Sequence, residues 1–184
     1  MLLNFPLLAK ISVGIIVVAT ILVASADEPM PAPEKTMLVS PNKKAYATMD
    51  VDTNITTVYK KNQKGDDAPL WSMLGWFPVA FISNSGDYLA IGYDGNNLLN
   101  LDYKKNEPIL YIVKHGELLR QFTLDQIITD FSKMPRTVSH YNWGTYIGFN
   151  SKDEFIIETF DNRQIALNIE TGKIAVLEKS DRRM

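Results

Sequence analysis

A phrase of turn, strand, turn and strand recurs along this chain, and no other feature limits its fold as strongly. The clearest copy runs from Ile82 to Leu101. It holds the turn cluster Ser83-Asn84-Ser85-Gly86-Asp87, a short apolar alternation, the turn Asp94-Gly95-Asn96-Asn97 and a second apolar run. Gly, Asn and Asp tolerate the positive φ that tight turns require, so the copy predicts a β-hairpin with at least one of Gly86 and Gly95 at positive φ. A looser copy opens at Ser40-Pro41-Asn42-Lys43-Lys44 and turns at Asp52-Thr53-Asn54. Another opens at Asn150-Ser151-Lys152-Asp153 and turns at Asp161-Asn162. The runs between these turns are rich in Val, Ile, Thr and Tyr, side chains that suit a pleated, half-buried surface.

Between the copies the chain changes character in three places. Leu70 to Phe81, LWSMLGWFPVAF, is its most apolar and aromatic stretch beyond the N-terminus. Rings such as Trp71, Trp76 and Phe77 bury large areas and anchor cores, so Trp76 is expected in the core. Ile109 to Phe122 predicts a further hairpin about Lys114-His115-Gly116-Glu117. Thr123-Leu124-Asp125-Gln126 then has the form of a capping box, and Leu124, Ile127, Ile128 and Phe131 recur at helical spacing. These predict a short helix over Leu124 to Lys133, stopped by Pro135. The expected architecture is mainly β: antiparallel hairpins in a meander, propeller-like or sandwich-like, with one short inserted helix. The competing arrangement is an open sheet packed by that helix.

The N-terminus speaks to compartment. Lys10 is the only charge before Asp27, and the apolar run after it ends in Ala24-Ser25-Ala26, small residues where a signal peptidase reads. Residues 1–26 are therefore expected to be a signal peptide, 27–36 a Pro-rich linker and 37–184 a single β-rich domain. An uncleaved segment would make the N-terminus a membrane anchor. The chain contains no cysteine, which fits a bacterial periplasmic or extracellular setting better than a disulfide-bearing secreted domain. Without Lys10, 18 basic residues face 21 acidic ones and form no basic stripe, so nucleic acid is not an expected partner.

Motifs for chemistry are sparse. With two histidines and no cysteine, a zinc site would need both His115 and His140 together with carboxylates, and their spacing has no ligand pattern. Asp50-Val51-Asp52-Thr53-Asn54 begins like a calcium loop but has Ile55 and Lys61 where that loop needs Gly and Glu, so it is read as a turn. No phosphate loop, nucleophile elbow or dinucleotide fingerprint occurs, and no metal or cofactor is expected. The candidate catalytic residues are Arg136, Ser139 and His140, crowded into the link after the predicted helix. In an extended segment Ser139 and His140 would point to opposite sides, poorly placed as a nucleophile–base pair. Tyr141, Trp143 and Trp71 are the candidate ligand-binding residues.

The phrases SPNKKAYATMDVDTNITTVYKK and NSKDEFIIETFDNRQIALNIETGKI resemble blades of WD40-like and related β-propellers, in which turn, strand and a T-G-K-I return recur. The step of 43 residues from Ser40 to Ser83 fits a propeller blade period of about 40–45. Three units are fewer than the four or more blades of a closed propeller. The segments SPN-x-K, W-x-x-x-x-W-F, S-x-S-G-D-Y and P-R-T-V-S-H-Y-x-W are similar to those of small exported bacterial proteins of unassigned activity. That likeness implies a shared fold and carries no function. The function read from the sequence is an exported, non-enzymatic binding or assembly module for a protein or carbohydrate. The alternatives are an exported hydrolase on the Arg136–Trp143 cluster and a carbohydrate-binding module on Trp71 and Trp76.

Overall fold

Turn chemistry divides the chain into three four-stranded antiparallel meanders, seen in a computed structural model that describes residues 32–62 and 67–177. The expected signal peptide lies outside these residues. Sheet I is built from β1 (Thr36–Val39), β2 (Ala45–Asp50), β3 (Ile55–Lys60) and β4 (Ala68–Leu74). Next along the chain come β5 (Ala80–Ile82), β6 (Tyr88–Gly92), β7 (Leu98–Asn100), β8 (Pro108–Lys114) and β9 (Glu117–Thr123). Sheet II takes all of these except β7, in the order β5-β6-β8-β9. A short helix, α1 (Leu124–Ile127), a 3-10 turn (Phe131–Lys133) and β10 (His140–Asn142) lead to sheet III. That sheet is β11 (Gly144–Phe149), β12 (Phe155–Thr159), β13 (Gln164–Leu167) and β14 (Ile174–Leu177). The first strands lie side by side, β5 touching both β1 and β11, as inner strands do in a propeller-like arrangement.

Sheet II sits in the middle, and its sequence shows it. All five residues of β6 are buried, because a strand covered on both faces must be apolar on both. Leu89, Ile91 and Val113 pack with Ala47, Met49 and Val58 of sheet I. Tyr88, Ala90, Leu110, Ile112 and Phe122 pack with Tyr146, Phe155, Ile157, Ile165 and Leu167 of sheet III. The outward faces of the end sheets mix polar and apolar side chains, with Met37 63%, Val39 51% and Leu74 76% exposed on sheet I. Sheet I turns out Thr48, Thr57 and the stacked rings of Tyr46 and Tyr59, 4.9 Å apart. Sheet III turns out Thr145, Glu158 and Gln164, with Gln164 Nε2 donating to Glu158 Oε2 at 3.1 Å.

The three recurring turns also hold the sheets together. In each, the opening residue caps the next strand: Ser40 Oγ accepts from Ala45 N, Ser83 Oγ from Tyr88 N and Asn150 Oδ1 from Glu154 N. The turns are then cross-linked. Asn42 N donates to Asn84 Oδ1 at 2.9 Å and Asn42 Nδ2 to Asn84 O at 3.1 Å. Asn84 N donates to Asp153 Oδ1 and Asn84 Nδ2 to Asn150 O, both at 2.7 Å.

Two expectations are corrected. The Ile82–Leu101 hairpin does not form, since β6 pairs with β5 and β8 while β7 leaves the sheet to pair with β10. The loop before β7 is held by the third unit instead: Trp143 Nε1 donates to Asn96 O and Trp143 N to Asn97 O. Of the two glycines, Gly86 has φ +82°, whereas the positive φ of the second turn falls on Asn96 at 55°. Gly95 is required for space, because a Cβ there would lie 2.5 Å from Leu98 O. The helix spans only Leu124–Ile127, ending at Ile128 with φ −93° and ψ 121°. Gln126 Oε1 accepts from Thr123 N as the capping box requires, and Leu124, Ile127 and Ile128 are all buried, but the helix stops after a single turn and the chain continues extended from Ile128.

Candidate ligand-binding site

A cavity of about 860 Å³ lies where the segment between β4 and β5 crosses sheet II, lined by Ile91, Tyr111 and Val113 of that sheet and reaching Leu118 on β9. Its walls are aromatic: Trp76 and Phe77 from the segment between β4 and β5, Tyr93 after β6 and Tyr111 on β8. Two carboxylates share the lining, Asp94 in the turn after β6 and Glu107 just before β8. Backbone bonds fix both turns, Asn96 N to Tyr93 O at 2.8 Å and Glu107 N to Lys104 O at 2.9 Å. Tyr93 is tied to the third unit by its own amide, which donates to Tyr146 Oη at 2.9 Å. Tyr146 Oη in turn donates to Ile109 O, and burial pushes its hydroxyl pKa well above the ordinary value. Burial also raises the Tyr93 hydroxyl, with the negative charges of Glu107, Asp94 and Asp102 adding to it.

Trp76 stands at the cleft wall. It is half-buried, packing in part on the cluster between sheets I and II, and its Nε1 donates to Glu34 O at 2.8 Å. The linker therefore lies against the domain at Glu34, and Pro33 joins the cleft lining. The expectation of Trp76 as a core residue is met in part: the ring is half-buried.

The residues singled out from sequence are dispersed. Trp71 packs on the same cluster and donates Nε1 to Gly86 O at 2.8 Å, so it fastens sheet I to the first turn of sheet II and lies outside the cleft lining. Trp143 is 0% exposed, packed edge-on to Tyr146 at 5.0 Å, and offers no surface to a ligand. Tyr141 stacks edge-on with Tyr103 at 5.4 Å, and Arg136 lies 5.8 Å from its ring. Ser139 Oγ and His140 Nδ1 are 2.9 Å apart, contrary to the opposite-sides expectation, because Ser139 sits in a bend preceding β10. The pair lies on an exposed turn beside Val138, which is 85% exposed.

Sequence reasoning passed over Tyr93, Asp94, Glu107 and Tyr111. Asp94 and Glu107 look like ordinary turn residues, and Tyr111 like one residue of an apolar strand. Phe77, with Trp76 in one dense aromatic segment, was the available signal.

No family model matches the sequence, and no curated protein matches it. Among solved structures the chain is similar to a periplasmic gluconolactonase of Pseudomonas aeruginosa, with a TM-score of 0.36 and 10% sequence identity. The alignment covers 78% of this chain and 38% of that one, so the chain spans well under half of that protein's length.

Proposed function

We propose that the chain is an exported binding module whose ligand enters the cleft walled by Trp76, Phe77, Tyr93 and Tyr111. The observation that carries this reading is the concavity itself. A cavity of about 860 Å³ falls within the range of roughly 300–1,000 Å³ typical of small-molecule sites, and it joins apolar walls to a few polar groups in the usual proportion. Export rests on Lys10, the apolar run and Ala24-Ser25-Ala26. Among the described residues no helix is long and apolar enough to cross a membrane. Chemical-shift mapping of the protein against a fragment set tests the site. Binders should shift the Trp76 indole and the Gly92 and Tyr93 amides while leaving the Trp143 indole in place. Binders that shift other surfaces and leave Trp76 unmoved would remove the cleft from consideration.

A hydrolase on Arg136, Ser139 and His140 is the second reading, supported by the 2.9 Å contact between Ser139 Oγ and His140 Nδ1. It is the weaker one, since the pair sits on an exposed turn outside the cleft lining and Trp143 beside it is core. A fluorophosphonate probe decides it: covalent labelling at Ser139 would favour the hydrolase, and an unlabelled protein would dismiss it.

A further inference from the structure

We infer that the cleft selects small organic cations, an ammonium group carried on an apolar or aromatic body, in preference to neutral or anionic ligands of the same shape. The inference rests on the binding-module reading above and adds the chemical class of the ligand. Its basis is the charge and ring content of one cavity. The lining carries the carboxylates of Asp94 and Glu107, and among its described residues there is no Lys, Arg or His. An anionic ligand would meet two like charges with no compensating cation. A neutral one would gain at most a hydrogen bond to them, without the attraction between opposite charges.

The rings point the same way. A cation over the face of Trp or Tyr is attracted by the ring quadrupole, more strongly where water is excluded. Elsewhere the protein meets this preference from its own chain, with Lys105 over Phe131 at 5.0 Å, Lys114 over Tyr88 at 5.0 Å and Arg136 over Tyr141 at 5.8 Å. Among the described residues those are the cation–ring contacts, and none involves Trp76, Tyr93 or Tyr111. The cleft thus holds aromatic rings and negative charge together, with the cation left to a ligand. The fields of Glu107 and Asp94 already reach the Tyr93 hydroxyl, so charge and ring act on the same space.

Three probes of one shape separate the possibilities: phenethylammonium, 2-phenylethanol and phenylacetate, carrying charges of +1, 0 and −1. Each is titrated into the full domain while the Trp76 indole resonance, assigned with Trp76→Phe, reports occupancy. Phenethylammonium is expected to bind at least tenfold more tightly than the alcohol, about 1.4 kcal/mol, with phenylacetate weakest. The double variant Asp94→Asn, Glu107→Gln should bring phenethylammonium to the alcohol's affinity and leave the alcohol's unchanged. An unmoved Trp143 indole in that variant confirms that it has folded. Equal affinities for all three probes at Trp76 would overturn the charge selection and leave the cleft reading standing. Tighter binding of phenylacetate would do the same. No shift at Trp76 with any probe, at any concentration up to solubility, would overturn both.

Discussion

Trp143→Ala and Trp76→Ala should differ sharply in stability, Trp143→Ala costing more, although from sequence Trp76 is expected in the core and Trp143 among the ligand-binding candidates. Trp143 is completely buried against Tyr146, and its Nε1 donates to Asn96 O at 2.9 Å. A buried Trp removes roughly 200 Å² from water, which at about 25 cal/mol per Å² is about 5 kcal/mol. Large-to-small substitutions of core aromatics cost about 3–5 kcal/mol. The unpaired Asn96 carbonyl adds about 1 kcal/mol unless water reaches it. Trp143→Ala should therefore remove at least about 3 kcal/mol, a large part of the roughly 5–15 kcal/mol such a domain possesses. Trp76 is half-buried and its Nε1 bond is to the exposed Glu34 carbonyl, so Trp76→Ala should cost about 1–2 kcal/mol. Urea unfolding of both variants beside the parent measures the difference, provided the m-values agree. Equal losses, or a Trp143→Ala loss under about 1 kcal/mol, would refute the division between core and cleft.

Three further outcomes are expected. Tyr146→Phe strips the hydroxyl that joins Tyr93 N to Ile109 O, and should destabilise by about 1–3 kcal/mol in thermal unfolding while broadening or shifting the Tyr93 amide resonance. Asn84→Ala removes the side chain that accepts from Asn42 N and donates to Asn150 O, and should cost about 1–3 kcal/mol, with faster hydrogen exchange at the Asn42 amide. Asp50 is held to a pKa of about 2 by the Thr53 amide and then by Lys35, so its stabilising contribution is complete above the unfolded carboxyl value near 3.9 and disappears as pH falls through about 2. The melting temperature of the parent should accordingly fall more steeply than that of Asp50→Asn between about pH 4 and pH 2, and parallel curves would contradict this.

What the sequence determined by itself was local. Ser40, Ser83 and Asn150 open turns because their side chains cap the backbone five or fewer residues away, and that bond needs no distant partner. The hairpin about His115 and Gly116, both at positive φ, was legible for the same reason. So was the count of three units in a mainly β chain. Tertiary structure decided everything that depends on what lies across a gap. Leu98–Asn100 reads as the second arm of a hairpin, yet it pairs with His140–Asn142 because Trp143 binds the carbonyl of Asn96 from 47 residues away. Leu124 to Lys133 has a helical period, yet the helix ends at Ile127 and Phe131–Lys133 forms only a 3-10 turn, with Leu124, Ile127 and Ile128 buried all the same. Trp71, Trp76 and Trp143 are the same residue type in similar company, and only the stacking of the sheets makes one a fastener, one a cleft wall and one a core. Asp94 and Glu107 acquire their shared setting in the same way. Turn residues take their conformation from their neighbours in sequence, but a cavity takes its charge from whichever loops the packed sheets bring together.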